Sequence, residues 1–82
     1  MSVPVTVYST AWCGPCSRLK RELDGHGVRY LEVDISDDPL AAEFVMSVND
    51  GMQRVPTVLF PDGSTLYNPS AAAVLERIAA SA

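Results

Sequence analysis

Trp12-Cys13-Gly14-Pro15-Cys16 holds the only two cysteines of the 82-residue chain. Side chains three apart share a helix face, so the two sulfurs come within bridging reach if this segment opens a helix. A cysteine just ahead of a first helical turn faces unpaired backbone N–H groups and the positive end of the helix dipole. Both favour thiolate over thiol, and the thiolate is the form that attacks disulfides. The chemistry expected is thiol–disulfide exchange. Cys13 is then the nucleophile, and Cys16, one turn in and facing the core with Leu19, is the thiol that resolves a mixed disulfide if a dithiol route is used. The competing reading is half of a zinc site. Zinc needs four ligands and only His26 is available beyond the two thiols, so that site would have to be shared between two chains.

The elements that must position this pair read as follows. Val3 to Tyr8 is rich in β-branched residues and is expected to form a first, buried strand, with Pro4 confined to its start. Ser9 to Trp12 is a loop, and a helix follows from about Gly14 to Asp24, with Pro15 tolerated in the first turn. Cys16, Leu19 and Leu23 form its inward face, Arg18, Lys20, Arg21 and Glu22 its outer one. Gly25 or Gly27 ends it. Val28 to Ile35 is a second strand. Ser36-Asp37-Asp38-Pro39 starts a helix running to about Val48, with the two aspartates as caps and Leu40, Ala41, Phe44, Val45 and Val48 on the buried face. Asn49-Asp50-Gly51 stops it. Val55 to Phe60 is a third strand, Pro61 to Ser64 a turn, and Ser64 to Tyr67 a fourth strand in an antiparallel hairpin with the third. Asn68-Pro69 caps a last helix with Ala71, Val74, Leu75 and Ile78 on one face.

The order β-α-β-α-β-β-α predicts an α/β fold. The opening strand–helix–strand gives a parallel pair with a right-handed crossover, and the hairpin adds antiparallel strands, making a mixed four-stranded sheet with three helices on its faces. The length suits one small domain over residues 1–82. A net charge of −4 with six scattered basic residues argues against a nucleic-acid partner. No apolar stretch is long enough to span a bilayer. Met1-Ser2-Val3-Pro4-Val5 lacks a basic segment followed by a long apolar run, so the expected compartment is the cytosol. In that reducing setting a lone CxxC is catalytic or metal-binding rather than a structural staple.

The order of elements, the CxxC between strand and helix, and Val55-Pro56 ahead of the third strand together resemble the thioredoxin fold in its minimal, glutaredoxin-like form, over essentially the whole chain. Within that superfamily, Trp12 to Cys16 looks like thioredoxin itself. Yet Val7 stands six residues before Cys13, where thioredoxins carry a buried aspartate, and Tyr8-Ser9 looks like a glutaredoxin. Glutaredoxins that use glutathione commonly place a lysine where this chain has Thr10. Their Gly-Gly-x-Asp-Asp at the last helix is replaced by Tyr67-Asn68-Pro69-Ser70-Ala71. Both charged handles for glutathione are absent, and a thiol with a neutral, sugar-like head suits such a site better. Tyr8 to Trp12, Cys16 to Lys20, Ala42 to Val45, Ser47 to Asn49, Val55 to Val58, Asp62 to Leu66 and Asn68 to Ser70 are similar to mycoredoxins, the glutaredoxin-like proteins of bacteria that use mycothiol. Pro15 departs from that pattern, where tyrosine is expected. Cys-Gly-Pro-Cys pairs are typical of the more reducing thioredoxins, roughly 40–70 mV below glutaredoxins.

The resemblance implies demycothiolation of proteins through Cys13, with mycothiol as a low-molecular-weight co-substrate recharged by mycothione reductase, no tightly bound cofactor or metal, and a monomer. Its alternatives are a dithiol redoxin of the kind that supplies ribonucleotide reductase, recharged by thioredoxin reductase, a glutathione-dependent glutaredoxin, and a non-enzymatic zinc or cluster-binding module. The residues expected to bind the thiol or the substrate are Thr10, Trp12, Pro15, Arg54, Val55, Pro56, Asn68, Pro69 and Ser70. From the residues alone Pro56 is a strand-entry proline. The resemblance implies instead a cis bond facing the active site, with the Val55 backbone free to pair with an extended substrate. Trp12 is either a cover over the disulfide or a partly buried packing residue. Arg18, Lys20 and Arg21 read as a solvated helix face, His26 as a surface turn residue and Phe44 as core.

Overall fold

Strand-forming alternation and helix-period stripes resolve into seven elements in a computed structural model, which describes residues 4–80. They are β1 (Val5–Ser9), α1 (Gly14–Gly25), β2 (Tyr30–Asp34), α2 (Pro39–Ser47), β3 (Thr57–Leu59), β4 (Thr65–Tyr67) and α3 (Ala71–Ala80). The sheet order is β2-β1-β3-β4. β1 runs parallel to β2, with Val5 opposite Tyr30 and Ser9 opposite Asp34, and antiparallel to β3, which pairs antiparallel with β4. This is the mixed four-stranded sheet with three helices that the order of elements predicts.

The two-residue period of β1 divides the core between the faces of the sheet. Val5 and Val7 pack with Leu19 and Leu23 of α1, Val58 and Phe60, and Ala71 and Val74 of α3. Tyr8 points the other way, joining Val33 and Val55 against Ile35, Ala41, Ala42 and Val45 under α2. The stripe expected on α1 is buried as read: Cys16, Leu19 and Leu23.

Several boundaries and faces differ from expectation. The start of β1 at Val3 lies outside the described residues, and Ser9 belongs to the strand, where its side chain is buried. β2 is shorter than Val28–Ile35, and β3 loses its first two residues to a cis peptide bond between Val55 and Pro56. On α2 the buried residues are Ala41, Ala42 and Val45, whereas Leu40 is 77% exposed and Val48 39%. At 100° per residue, Leu40 falls well outside the arc that 41, 42 and 45 share, and Val48 sits past the last turn as the C-cap. Phe44 is half-buried at the edge of that arc, stacked on Tyr8 with ring centroids 5.3 Å apart.

Helix ends show their chemistry directly. Asp38 is the N-cap of α2, its carboxylate accepting the Ala41 N–H at 3.1 Å ahead of Pro39, while Asp37 makes no cap. Asp50 and Gly51 both take the left-handed conformation after α2, and the Gly51 N–H donates to the Met46 carbonyl at 2.8 Å. At α3 the capping side chain is Ser70, whose hydroxyl accepts the Ala73 N–H at 3.1 Å. The expected Asn68-Pro69 cap falls too early: α3 begins at Ala71, which makes Ser70 the N-cap, while the Asn68 N–H donates to the Pro56 carbonyl at 2.8 Å.

β2 is an edge strand, and its middle residue, Glu32, lies on the α1 side of the sheet with its side chain 42% exposed. The Glu32 carboxylate accepts from the buried Ser9 hydroxyl at 2.8 Å and pairs with the Lys20 ammonium of α1. The Lys20 hydrogen bond, followed by that of Ser9, holds the Glu32 carboxyl below its ordinary value against the opposing effect of burial. A carboxyl lowered in the folded state stabilises above its unfolded pKa, and that contribution is lost as pH falls through the lowered value. Acidifying from the ordinary 4.5 downward should therefore reduce the urea midpoint of the native protein more steeply than that of Lys20→Met. Parallel curves for the two proteins would count against the coupling.

Candidate active site

β1 delivers the chain into a turn from Thr10 to Cys13, closed by the Cys13 N–H donating to the Thr10 carbonyl at 3.3 Å. Cys13 is extended, with φ −92° and ψ 107°, and serves as the N-cap of α1. Its sulfur accepts the Cys16 N–H at 3.1 Å, the bond a serine or aspartate would make at a helix start. Pro15 fits the first turn because its missing N–H would have no helical partner there. A thiolate at Cys13 would receive that N–H as a charge-assisted hydrogen bond at the positive end of the helix. Cys13 is partly exposed and Cys16 fully buried. They are joined in a disulfide with Cα atoms 5.2 Å apart.

Facing them is the cis Val55–Pro56 corner, with the Val55 carbonyl oxygen 3.8 Å from the Cys13 sulfur. Pro56 is buried. Thr57 and Asn49 brace the corner from behind. The Thr57 hydroxyl donates to the Arg54 carbonyl at 2.7 Å and accepts from the Asn49 amide at 3.1 Å, and that amide also donates to the Val45 carbonyl at 2.8 Å. Neither support is among the site residues expected from the sequence. The one signal in the sequence was a threonine inside an otherwise apolar strand.

The remaining expected residues divide into three groups. Pro15, Asn68, Pro69 and Ser70 converge with Arg18, Leu19 and Glu22 on a cavity of about 250 Å³ between α1 and the start of α3. Arg54 lies over the ring of Tyr67, 5.4 Å from its centroid, and Tyr67 is a neighbour of the site that carries no signal in the sequence. Trp12 is 76% exposed and so is no packing residue of the core. Thr10 belongs to the turn beneath Cys13, and its hydroxyl is sealed from solvent. Among the described residues no three His, Cys, Asp or Glu side chains gather as metal ligands. No described helix is long and apolar enough to cross a membrane.

A cysteine pair capping the helix after the first strand, opposite a cis proline that enters the third, marks a thiol–disulfide oxidoreductase of the thioredoxin fold. The glutaredoxin family model matches residues 5–64, and the chain belongs to that family. It is 55% identical over 71 residues to a Mycobacterium tuberculosis protein named as a glutaredoxin, covering 87% of this chain and 84% of that one. It is 46% identical over 76 residues to Mycoredoxin 1 of Corynebacterium glutamicum, covering 93% and 94%. Among solved structures, the NrdH-redoxin of Escherichia coli superposes with a TM-score of 0.76 at 20% identity, over 90% of this chain and 93% of that one, a likeness of fold.

Proposed function

We propose that the protein reduces protein–mycothiol mixed disulfides, with Cys13 as nucleophile and mycothiol as electron donor. The Cys13 thiolate attacks the mycothiol sulfur, and the target protein leaves as a thiolate that takes up a proton. A second mycothiol attacks the resulting Cys13–mycothiol disulfide, frees Cys13 and forms the symmetrical disulfide, which mycothione reductase returns to thiol. Electrons pass through one enzyme sulfur only.

The observation that carries this reading is the cavity beside the cysteines. Its α3 wall, Asn68-Pro69-Ser70, offers an amide and a hydroxyl that suit hydroxyl groups, and the charges of the site, Arg18 and Glu22, stand together on the α1 wall. The similarity to Mycoredoxin 1 supports it. The proposal is for a monomer acting in the cytosol.

A dithiol route has one observation in its favour. Cys16 is buried one turn behind Cys13 and already bridged to it, as a resolving thiol recharged by thioredoxin reductase would be. Two measurements separate the routes. The first is the rate of reduction of the oxidised protein in parallel NADPH-coupled systems containing mycothiol with its reductase, glutathione with its reductase, or thioredoxin reductase alone. Fastest turnover with mycothiol is expected. The second is Cys16→Ala, which should keep most of its turnover on a mycothiolated peptide. Loss of most turnover in that variant would transfer the case to the dithiol route.

A further inference from the structure

The Thr10 hydroxyl is the one buried side-chain oxygen or nitrogen among the described residues that meets no hydrogen-bond partner in the protein. A buried hydroxyl without a partner carries a desolvation penalty that a hydrogen bond would remove. Its position explains what that bond is for. Thr10 and Cys13 are the first and fourth residues of one turn, tied by the Cys13 N–H to Thr10 carbonyl bond at 3.3 Å. Their Cα atoms are then within about 7 Å. The helix side of the Cys13 sulfur is already occupied by the Cys16 N–H at 3.1 Å. In the disulfide this sulfur is neutral and a weak acceptor, whereas a thiolate is a strong one.

We propose that Thr10 is the second hydrogen-bond donor to the Cys13 thiolate, in a bond that forms when the Cys13–Cys16 disulfide is reduced and is lost on reoxidation. Reduction by an external dithiol delivers two electrons to the S–S bond. The dithiol becomes a disulfide and gives up two protons, one taken by Cys16 as thiol and one released to solvent; Cys13 leaves as thiolate, and the Thr10 proton is shared with its sulfur, not transferred. The hydroxyl thus favours reduced over oxidised protein and lowers the pKa of Cys13. This rests on Cys13 being the attacking thiol, and not on the identity of the small thiol. The charged side chains of the flanking elements, Arg18 on α1 and Arg54 beside Val55, stay constant in every variant below.

The test is Thr10→Val, which keeps the branched shape and removes the hydroxyl. In a Cys16→Ser background, where Cys13 titrates alone, its pKa, read by thiolate absorbance or alkylation rate, should rise by about one unit. In the protein with both cysteines, the equilibrium with dithiothreitol should shift about tenfold toward the oxidised form, or 29.6 mV for two electrons. Thr10→Ser should restore both values. Oxidised Thr10→Val should melt no lower than the parent, since nothing is left unpaired. Should Thr10→Val fail to fold, Thr10→Ala is read in the same two assays with the same expectation. An unchanged pKa and equilibrium in a folded variant, or a Thr10→Ser protein that behaves like Thr10→Val, overturns the proposal. A parent Cys13 pKa at the ordinary value near 8.5 overturns the nucleophile assignment with it. A depressed pKa that ignores Thr10 overturns the hydrogen bond alone.

Discussion

Cys13→Ser should lose disulfide-exchange turnover on the order of a thousandfold or more, while the reduced protein keeps its fold. The two halves of that outcome come from one piece of geometry. The Cys13 sulfur accepts the Cys16 N–H at 3.1 Å as the helix N-cap, and serine is among the best residues for that position. The cap survives the substitution. What disappears is a group that ionises near neutral pH and attacks sulfur, since an alcohol does neither. Melting of the reduced proteins should therefore agree closely, while turnover with a small mixed disulfide collapses. Comparison under reducing conditions matters because the variant also lacks the Cys13–Cys16 bridge. A Cys13→Ser protein that retained turnover would mean that Cys16, fully buried, reaches substrate by itself, and the assignment of roles would have to be exchanged.

Much of this site was legible because its signals are local. Cys13 and Cys16 share a helix start, and Pro15 marks its first turn. Asn49-Asp50-Gly51 announces a stop, where two residues of positive φ are found. The cis bond at Pro56 was expected from family resemblance alone, as nothing in the residue pair itself favours it over trans. What escaped reading depends on register between distant segments. Ser9, Glu32 and Lys20 are brought together across 23 and 12 positions by the parallel pairing of β1 with β2 and the crossover of α1. A rough alternation in Tyr30 to Asp34 does not say which basic side chain of α1 the exposed Glu32 carboxylate will meet. Arg54 meets Tyr67 for a similar reason, since the hairpin pairs Thr57 with Tyr67. The Asn68 N–H meets the Pro56 carbonyl for the same reason, again a contact between segments.

Two leucines show how far helix periodicity carries and where packing takes over. Leu23 and Leu40 both lie on the apolar stripes predicted for their helices, yet Leu23 is fully buried and Leu40 is 77% exposed. Leu23 closes the inward face of α1, packed with Val5, Val7, Val58 and Val74, two turns beyond Cys16 on the same stripe. Truncating it to alanine removes apolar contacts and leaves a cavity that a small core cannot fully close, costing about 2–5 kcal/mol. Against a total stability of about 5–15 kcal/mol, that is a large share. At about 4–8 °C per kcal/mol for a domain of this size, Leu23→Ala should melt about 8 °C or more below the parent. Leu40→Ala, by contrast, should stay within about 0.5 kcal/mol, because the side chain it shortens already stands in water. Urea melts of the two variants side by side make the difference a test of helix phase rather than of leucine content. Equal losses would place Leu40 in the core and rotate α2 by about a quarter turn. That rotation would move the wall behind Val55, and so the corner that faces Cys13.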